Sequence, residues 1–465
     1  MTVSFALLIA YAALFIALGL WIGRRAQASD FFVAGRRFGP GLIFSTFLAA
    51  NIGASSTVGA TSLGFSEGLS AWWWNGSAGI GSLILAFSVG PRMWREARAH
   101  GDLTLGDFLE RRFGRAMRGL VASLIWLGTL TILAAQLLGV AAVLNVTGGF
   151  SMLAGCAIGA LVTLSYFIAG GLLSSAWVNL VQLVVILAGF AIAVPYSVGH
   201  AGGWTAITVT AGSRTDLWFS SGPGSGWRLM FLLAPAFIVS PGLLQKAYGA
   251  RDERAVRRGI AWNGAVLLIF ACAPAAIGLA AHTLYPSLDR PDLALPTILA
   301  NALPPSLGVI ALAAVFSAEV SSADAVLFML ATSASRDLYR GFVRPEASQE
   351  DVLRAARIAA VVGGFCGVGV AMVYGSVRAA VSVFYAILTV TLFVPVIGGL
   401  YAPGAGRREG LASILTGVPV LAVTHALTSG RGYAVLSPAL AGVLASAVGF
   451  GAAYLSGSRL RQVAR

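Results

Sequence analysis

Residues 48–59 read Leu48-Ala49-Ala50-Asn51-Ile52-Gly53-Ala54-Ser55-Ser56-Thr57-Val58-Gly59. They lie inside an apolar run, 41–66, long enough to cross a bilayer, yet the centre of that run is small and polar. A helix can unwind in hydrocarbon only where its freed backbone groups line a cavity or find other partners; the alternative is close helix packing through small residues. A second such place lies five spans further on, where Pro235 and Ser240-Pro241-Gly242 interrupt the run 228–244. Paired interruptions in two halves are the mark of an inverted-repeat transporter with its binding site at the breaks.

Composition agrees. The 465 residues are 57% hydrophobic and 11% charged, against about 25% charged in a soluble chain, and the mean hydropathy is +0.83. The chain therefore reads as an all-α polytopic membrane protein. Thirteen apolar runs are expected to span, at 3–22, 41–66, 72–90, 117–145, 150–169, 177–198, 228–244, 259–283, 305–334, 354–374, 379–400, 410–428 and 437–456. Arg24 and Arg25 follow the first run rather than precede it, which favours an uncleaved helix with its N-terminus outside. Of the 31 Lys and Arg residues, only Arg214, Arg228, Arg290, Arg378 and Arg431 then fall on the outer face, as the positive-inside rule requires, and the C-terminus is cytoplasmic. The net charge of +13 is thus a topology signal, with some attraction to anionic lipid; it calls for no nucleic-acid partner. His100, His200, His282 and His425 are scattered, and Cys156, Cys272 and Cys366 each sit in apolar runs. Neither a metal cluster nor a disulfide framework follows, and no catalytic pair is visible.

Of 18 acidic residues, Glu319 and Asp324 are the two placed inside a span, where carboxylates are functional candidates by default. They belong to Ser317-Ala318-Glu319-Val320-Ser321-Ser322-Ala323-Asp324, whose positions 318, 321 and 322 share one helix face. Two hydroxyls and a carbonyl there suit a sodium ion, although serine hydroxyls also bond back to carbonyls one turn earlier.

Four stretches give the chain a resemblance to the sodium/solute symporter family: Asp30-Phe31-Phe32-Val33-Ala34-Gly35-Arg36-Arg37; Gly170-Gly171-Leu172 with Trp177-Val178-Asn179-Leu180-Val181-Gln182; Gln245-Lys246-Ala247-Tyr248-Gly249-Ala250-Arg251; and Ser321-Ser322-Ala323-Asp324 through Arg336-Asp337-Leu338-Tyr339. The resemblance implies a five-plus-five inverted-repeat core with broken first and sixth core helices. Residues 1–40 would form an extra helix and loop, 41–198 and 228–400 the two repeats, and 401–465 two further helices and a short tail. It also implies a sodium site from the carbonyls of Ala49, Ile52 and Ala318 and the hydroxyls of Ser321 and Ser322, with solute near Asn51, Ser55, Ser56 and Asn75. Sugar carriers of that family have a Glu-Gln pair where this chain has Ser55-Ser56, which argues against a sugar.

The expected activity is sodium-coupled uptake of a small polar organic solute, such as an amino acid or carboxylate, across a bacterial-type cytoplasmic membrane by alternating access. The expected partners are sodium, the solute and lipid, with no cofactor, no metal but sodium, no enzymatic activity, and a monomer or weak oligomer as the unit. Two alternatives stand beside it. A proton-coupled carrier would use Glu319, with Asp324 a further candidate coupling or proton site; a transporter-like sensor would need a separate signalling partner. Trp72-Trp73-Trp74 is expected to anchor at the membrane interface, Gln136 to donate a hydrogen bond between helices, and Gly101–Gly114 to form a solvated amphipathic helix.

Overall fold

The computed structural model describes residues 36–218, 226–433 and 436–463 together with Ala10, Ala13, Leu14 and Ala17, without the side chains of 166, 168–177, 227 and 458–463. The expected first span, residues 30–35 of the first family-like stretch and the Trp177 side chain lie outside the described residues. The described helices are numbered in chain order: α1 Pro40–Asn51, α2 Ala60–Glu67, α3 Trp72–Ile84, α4 Gly90–His100, α5 Leu105–Phe113, α6 Arg115–Gly148, α7 Met152–His200, α8 Gly203–Ala211, α9 Gly226–Val239, α10 Pro241–Tyr248, α11 Glu253–Phe270, α12 Cys272–Leu284, α13 Ala294–Asn301, α14 Pro305–Thr332, α15 Gln349–Tyr374, α16 Val377–Tyr401, α17 Arg407–Thr428 and α18 Pro438–Val463.

No strand occurs among the described residues, as the bilayer demands of a segmentally hydrogen-bonded chain. Nine of the described helices are long and apolar enough to cross a membrane, and a pair bent by 61°, Pro40–Asn51 with Ser55–His100, makes a tenth. Among the described residues this count neither reaches nor contradicts the expected thirteen. The first run is outside the description. Ser55–His100 forms one stretch, but the chain turns at Gly68 (φ 83°) between α2, which continues the second expected span, and α3, which begins the third. The fifth and sixth runs both lie in α7, of which Val178–His200 counts as a span and Met152–Ser165 as a shorter apolar helix.

α14 is the central element. It packs on α7 and α6, and also meets α1 and α15; its buried face includes Ala318, Glu319, Ser321, Ser322 and Asp324. α11 lies against α1 and α3, while α16 lies against α6 and α9. On the outside, Val209, Ile269 and Val373 are each at least three-quarters exposed, the apolar outer surface expected of helices facing lipid rather than water.

Both expected interruptions are present. α1 stops at Asn51, and Ile52 takes an extended conformation (φ −97°, ψ 95°); a π-helical turn, Ser55–Gly59, then restarts the chain. α9 and α10 are separated at Ser240 (φ −55°, ψ 121°), because Pro241 opens the next helix and has no N–H to continue the last one. Pro235, by contrast, stays inside α9.

Candidate functional site

The break after α1 redirects backbone donors. In a continuous helix the amides of Ala54 and Ser56 would serve the carbonyls of Ala50 and Ile52. Instead Ala54 N donates to Gln136 Oε1 at 2.8 Å, and Ser56 N donates to Gly53 O at 2.8 Å. The freed carbonyls face α14. Ser322 Oγ lies 3.1, 3.3 and 3.2 Å from the carbonyl oxygens of Ala49, Ala50 and Ile52. Ser321 Oγ lies 3.2 Å from Ala49 O and 3.1 Å from Ala318 O.

Ala49, Ile52, Ala318, Ser321 and Ser322 are thus gathered into one buried cluster, joined by Ala50. Its donor balance is uneven: four carbonyls surround two hydroxyls, and each hydroxyl has a single proton. The arrangement offers more acceptor oxygens than the protein has protons to satisfy, which is the chemistry of a site for a hard cation.

The expected solute residues divide. Asn51 borders a cavity of about 60 Å³ between the two breaks, together with Ser240, Lys246, Phe237 and Tyr385. Its Nδ2 donates to Asn263 Oδ1 at 3.0 Å, and Asn263 in turn donates to Ser82 Oγ at 3.1 Å. Ser55, Ser56 and Asn75 do not border this cavity; they bond to their own surroundings. Asn75 Nδ2 donates to Ser56 O at 2.9 Å, the Ser56 hydroxyl donates to Asn51 O, and Trp74 Nε1 donates to Ser55 Oγ at 3.0 Å.

That last bond adds to the reading of the tryptophan triplet. Trp73 and Trp74 are buried, and the indole N–H groups of Trp72 and Trp73 donate to Leu268 O and Leu217 O, so all three indoles are bonded to the protein's own groups. Gln136 does bond between helices, but as an acceptor for the broken backbone. α5 buries Leu105, Phe108, Leu109 and Phe113, so it is a packed helix with one charged face.

Lys246 and Tyr385 have no place in the expected site. Lys246 Nζ, almost wholly buried, donates to Thr46 O of α1 at 2.9 Å and lies within electrostatic reach of Asp324. The signal for Lys246 is a cation two residues beyond the end of an apolar run, 228–244; nothing local distinguishes Tyr385, which packs on Phe237 with ring centroids 5.6 Å apart.

A second, smaller cavity of about 30 Å³ shares Met329 with the first and ends on Arg118 and Asp337. Arg118 there reaches Asp107 at 3.0 Å, Glu110 at 2.6 Å and Asp337 at 2.9 Å, tying α5 to α6 and to the segment after α14. Nearby, burial raises the Asp102 carboxyl above its ordinary range, and the hydrogen bond from Arg111 opposes that rise.

The family model described as sodium:solute symporter family matches residues 31–417. Similar proteins include the high-affinity choline transporter 1 of Caenorhabditis elegans, 23% identical over 88% of this chain and 75% of that one. The sodium/glucose cotransporter of Vibrio parahaemolyticus is 24% identical over 76% of this chain and 71% of that one. Among solved structures, the substrate-bound outward-open state of a Na+-coupled sialic acid symporter superimposes with a TM-score of 0.83, covering 98% of each chain at 18% identity. That likeness is one of fold.

Proposed function

The chain belongs to the sodium:solute symporter family, and from that premise we propose that it binds sodium at the oxygens of Ala49, Ile52, Ala318, Ser321 and Ser322 and couples the ion's inward movement to uptake of a small polar organic solute. The chain is a multi-pass, sodium-coupled solute symporter; the site, the solute and the membrane orientation are our reading. One observation carries the site: four carbonyls and two hydroxyls converge where α1 breaks against α14, with too few protons to pair them. Sodium there would hold the half-helix ending at Asn51 against α14, favour the outward-open form and complete the solute site. Asn51, with Lys246 and Tyr385 beside it, would contact the solute directly. Ser55, Ser56 and Asn75 would shape that site from behind, through the bonds they make around the break.

Two repeats of five helices, rocking as one bundle against the other, would supply alternating access. With the N-terminus outside and the C-terminus inside a cytoplasmic membrane, sodium entry is driven electrically as well as chemically, by about 2.3 kcal/mol per charge across 100 mV.

The combined variant Ser321→Ala/Ser322→Ala is expected to abolish sodium-stimulated solute binding while eluting as a folded, monodisperse protein. The solute itself is found by thermal-shift screening of the purified chain against small amino acids, carboxylates and polyols, in sodium and in potassium. Sodium dependence unchanged in the double variant refutes the site.

A further inference from the structure

Glu319 follows Ala318 on α14 and is wholly buried, yet its side chain takes no part in the oxygen cluster. Its carboxylate meets the chain beyond the break. Thr57 Oγ1, in the π-helical turn, lies 2.6 Å from Glu319 Oε1 and 2.9 Å from Gly53 O. Gly53 O already accepts the Ser56 and Thr57 amides at 2.8 and 2.9 Å, which leaves the one Thr57 hydroxyl proton for Glu319. Glu319 Oε2 has no hydrogen-bond partner among the described residues. It is packed against small groups: a methyl placed on Gly139 would lie 2.6 Å from Oε2 and 2.7 Å from Ala54 Cβ. Gln136, one turn away on α6, has its oxygen engaged by Ala54 N. The buried cation of the site, Lys246, donates to Thr46 O. A carboxylate at this depth with no ion pair among the described residues is costly, and the Thr57 hydroxyl stands beside it.

We propose that the Glu319 carboxylate and Thr57 Oγ1 anchor a second sodium site on the far side of the break from Ser321 and Ser322. The proposal deepens the sodium-coupled reading and rests on it. α14 then grips both halves of the broken span through ions: Ser321 and Ser322 hold the half that ends at Asn51, and Glu319 holds the half that begins at Ser55. Transport of each solute would accordingly draw on two sodium ions.

The test is equilibrium binding of radioactive sodium to the purified full-length chain, which needs no knowledge of the solute. Two ions per wild-type chain are expected, one in Glu319→Gln, and one in Ser321→Ala/Ser322→Ala. Thr57→Val is expected to weaken one of the two sites about tenfold or more, whereas Thr57→Ser retains it; this pair carries the test if Glu319→Gln does not fold. A single ion in the wild type overturns the proposal, as does an unchanged count in folded Glu319→Gln or unchanged affinity of both sites in Thr57→Val. Loss of all sodium binding in folded Glu319→Gln also overturns it, since Glu319 would then be the counter-charge of one shared site. Two ions in Ser321→Ala/Ser322→Ala with one in Glu319→Gln would sink the neighbouring cluster and leave the Glu319 site standing.

Discussion

Gly53 shows how little room the break allows. A methyl group there would lie 2.2 Å from Ser322 Oγ and 2.7 Å from Gln136 Oε1, so no side chain fits between the freed carbonyls and α14. Gly53→Ala is expected to force the two apart, with an overpacking cost of about 1–3 kcal/mol and loss of the stabilisation that sodium confers over potassium. Thermal unfolding in the two salts measures both effects; a sodium-dependent shift equal to wild type would show that the contact tolerates separation. Single residues were legible to different degrees. Ser321 and Ser322 stood out because hydroxyls beside carboxylates are rare in an apolar run, and Ala49 and Ile52 came through the resemblance. The bonds of Gln136 and Trp74 are not legible, since their partners, Ala54 N and Ser55 Oγ, are set by packing and leave no trace in local sequence.

At the scale of elements, α10 is held to α1 by one buried cation. Lys246 donates to Thr46 O across the cavity from the break and lies within electrostatic reach of Asp324 of α14. Removing one member of a buried pair leaves the other uncompensated. Lys246→Met is therefore expected to cost about 3 kcal/mol, and Lys246→Met/Asp324→Asn to recover part of that loss; chemical unfolding of the two variants and of Asp324→Asn completes the cycle. Simple additivity would mean that the two groups do not interact. The breaks at Ile52 and Ser240 were readable because small residues and proline act locally on the backbone. The merging of two expected spans into α7 was not, since hydropathy reports where apolar residues end and not whether the hydrogen-bonded ladder ends with them.

Across the whole molecule, Met329 borders both the cavity beside Asn51 and the one that ends at Arg118 and Asp337. It therefore reports on the path between them. In a Cys272→Ser/Cys366→Ser background, which removes the exposed cysteines, Met329→Cys is expected to react with a polar thiol reagent several-fold more slowly in sodium than in potassium, if sodium favours the outward-open form. Equal rates would separate ion binding from the movement of the bundle.

The amino-acid sequence alone determined that the chain is apolar, helical and membrane-spanning, and where two of its spans fail as helices. Those properties follow from the solvation of each segment and from the conformational limits of proline and small residues, which act within a few residues. What only the tertiary structure decided is which groups meet at the breaks. Ser322 and Ala49 are 273 residues apart in the chain, and Thr57 and Glu319 are 262 apart. Whether a freed carbonyl finds a donor, or is left with room for a cation, depends on how distant helices pack, because a backbone oxygen has the same chemistry in every residue until a neighbour is placed beside it.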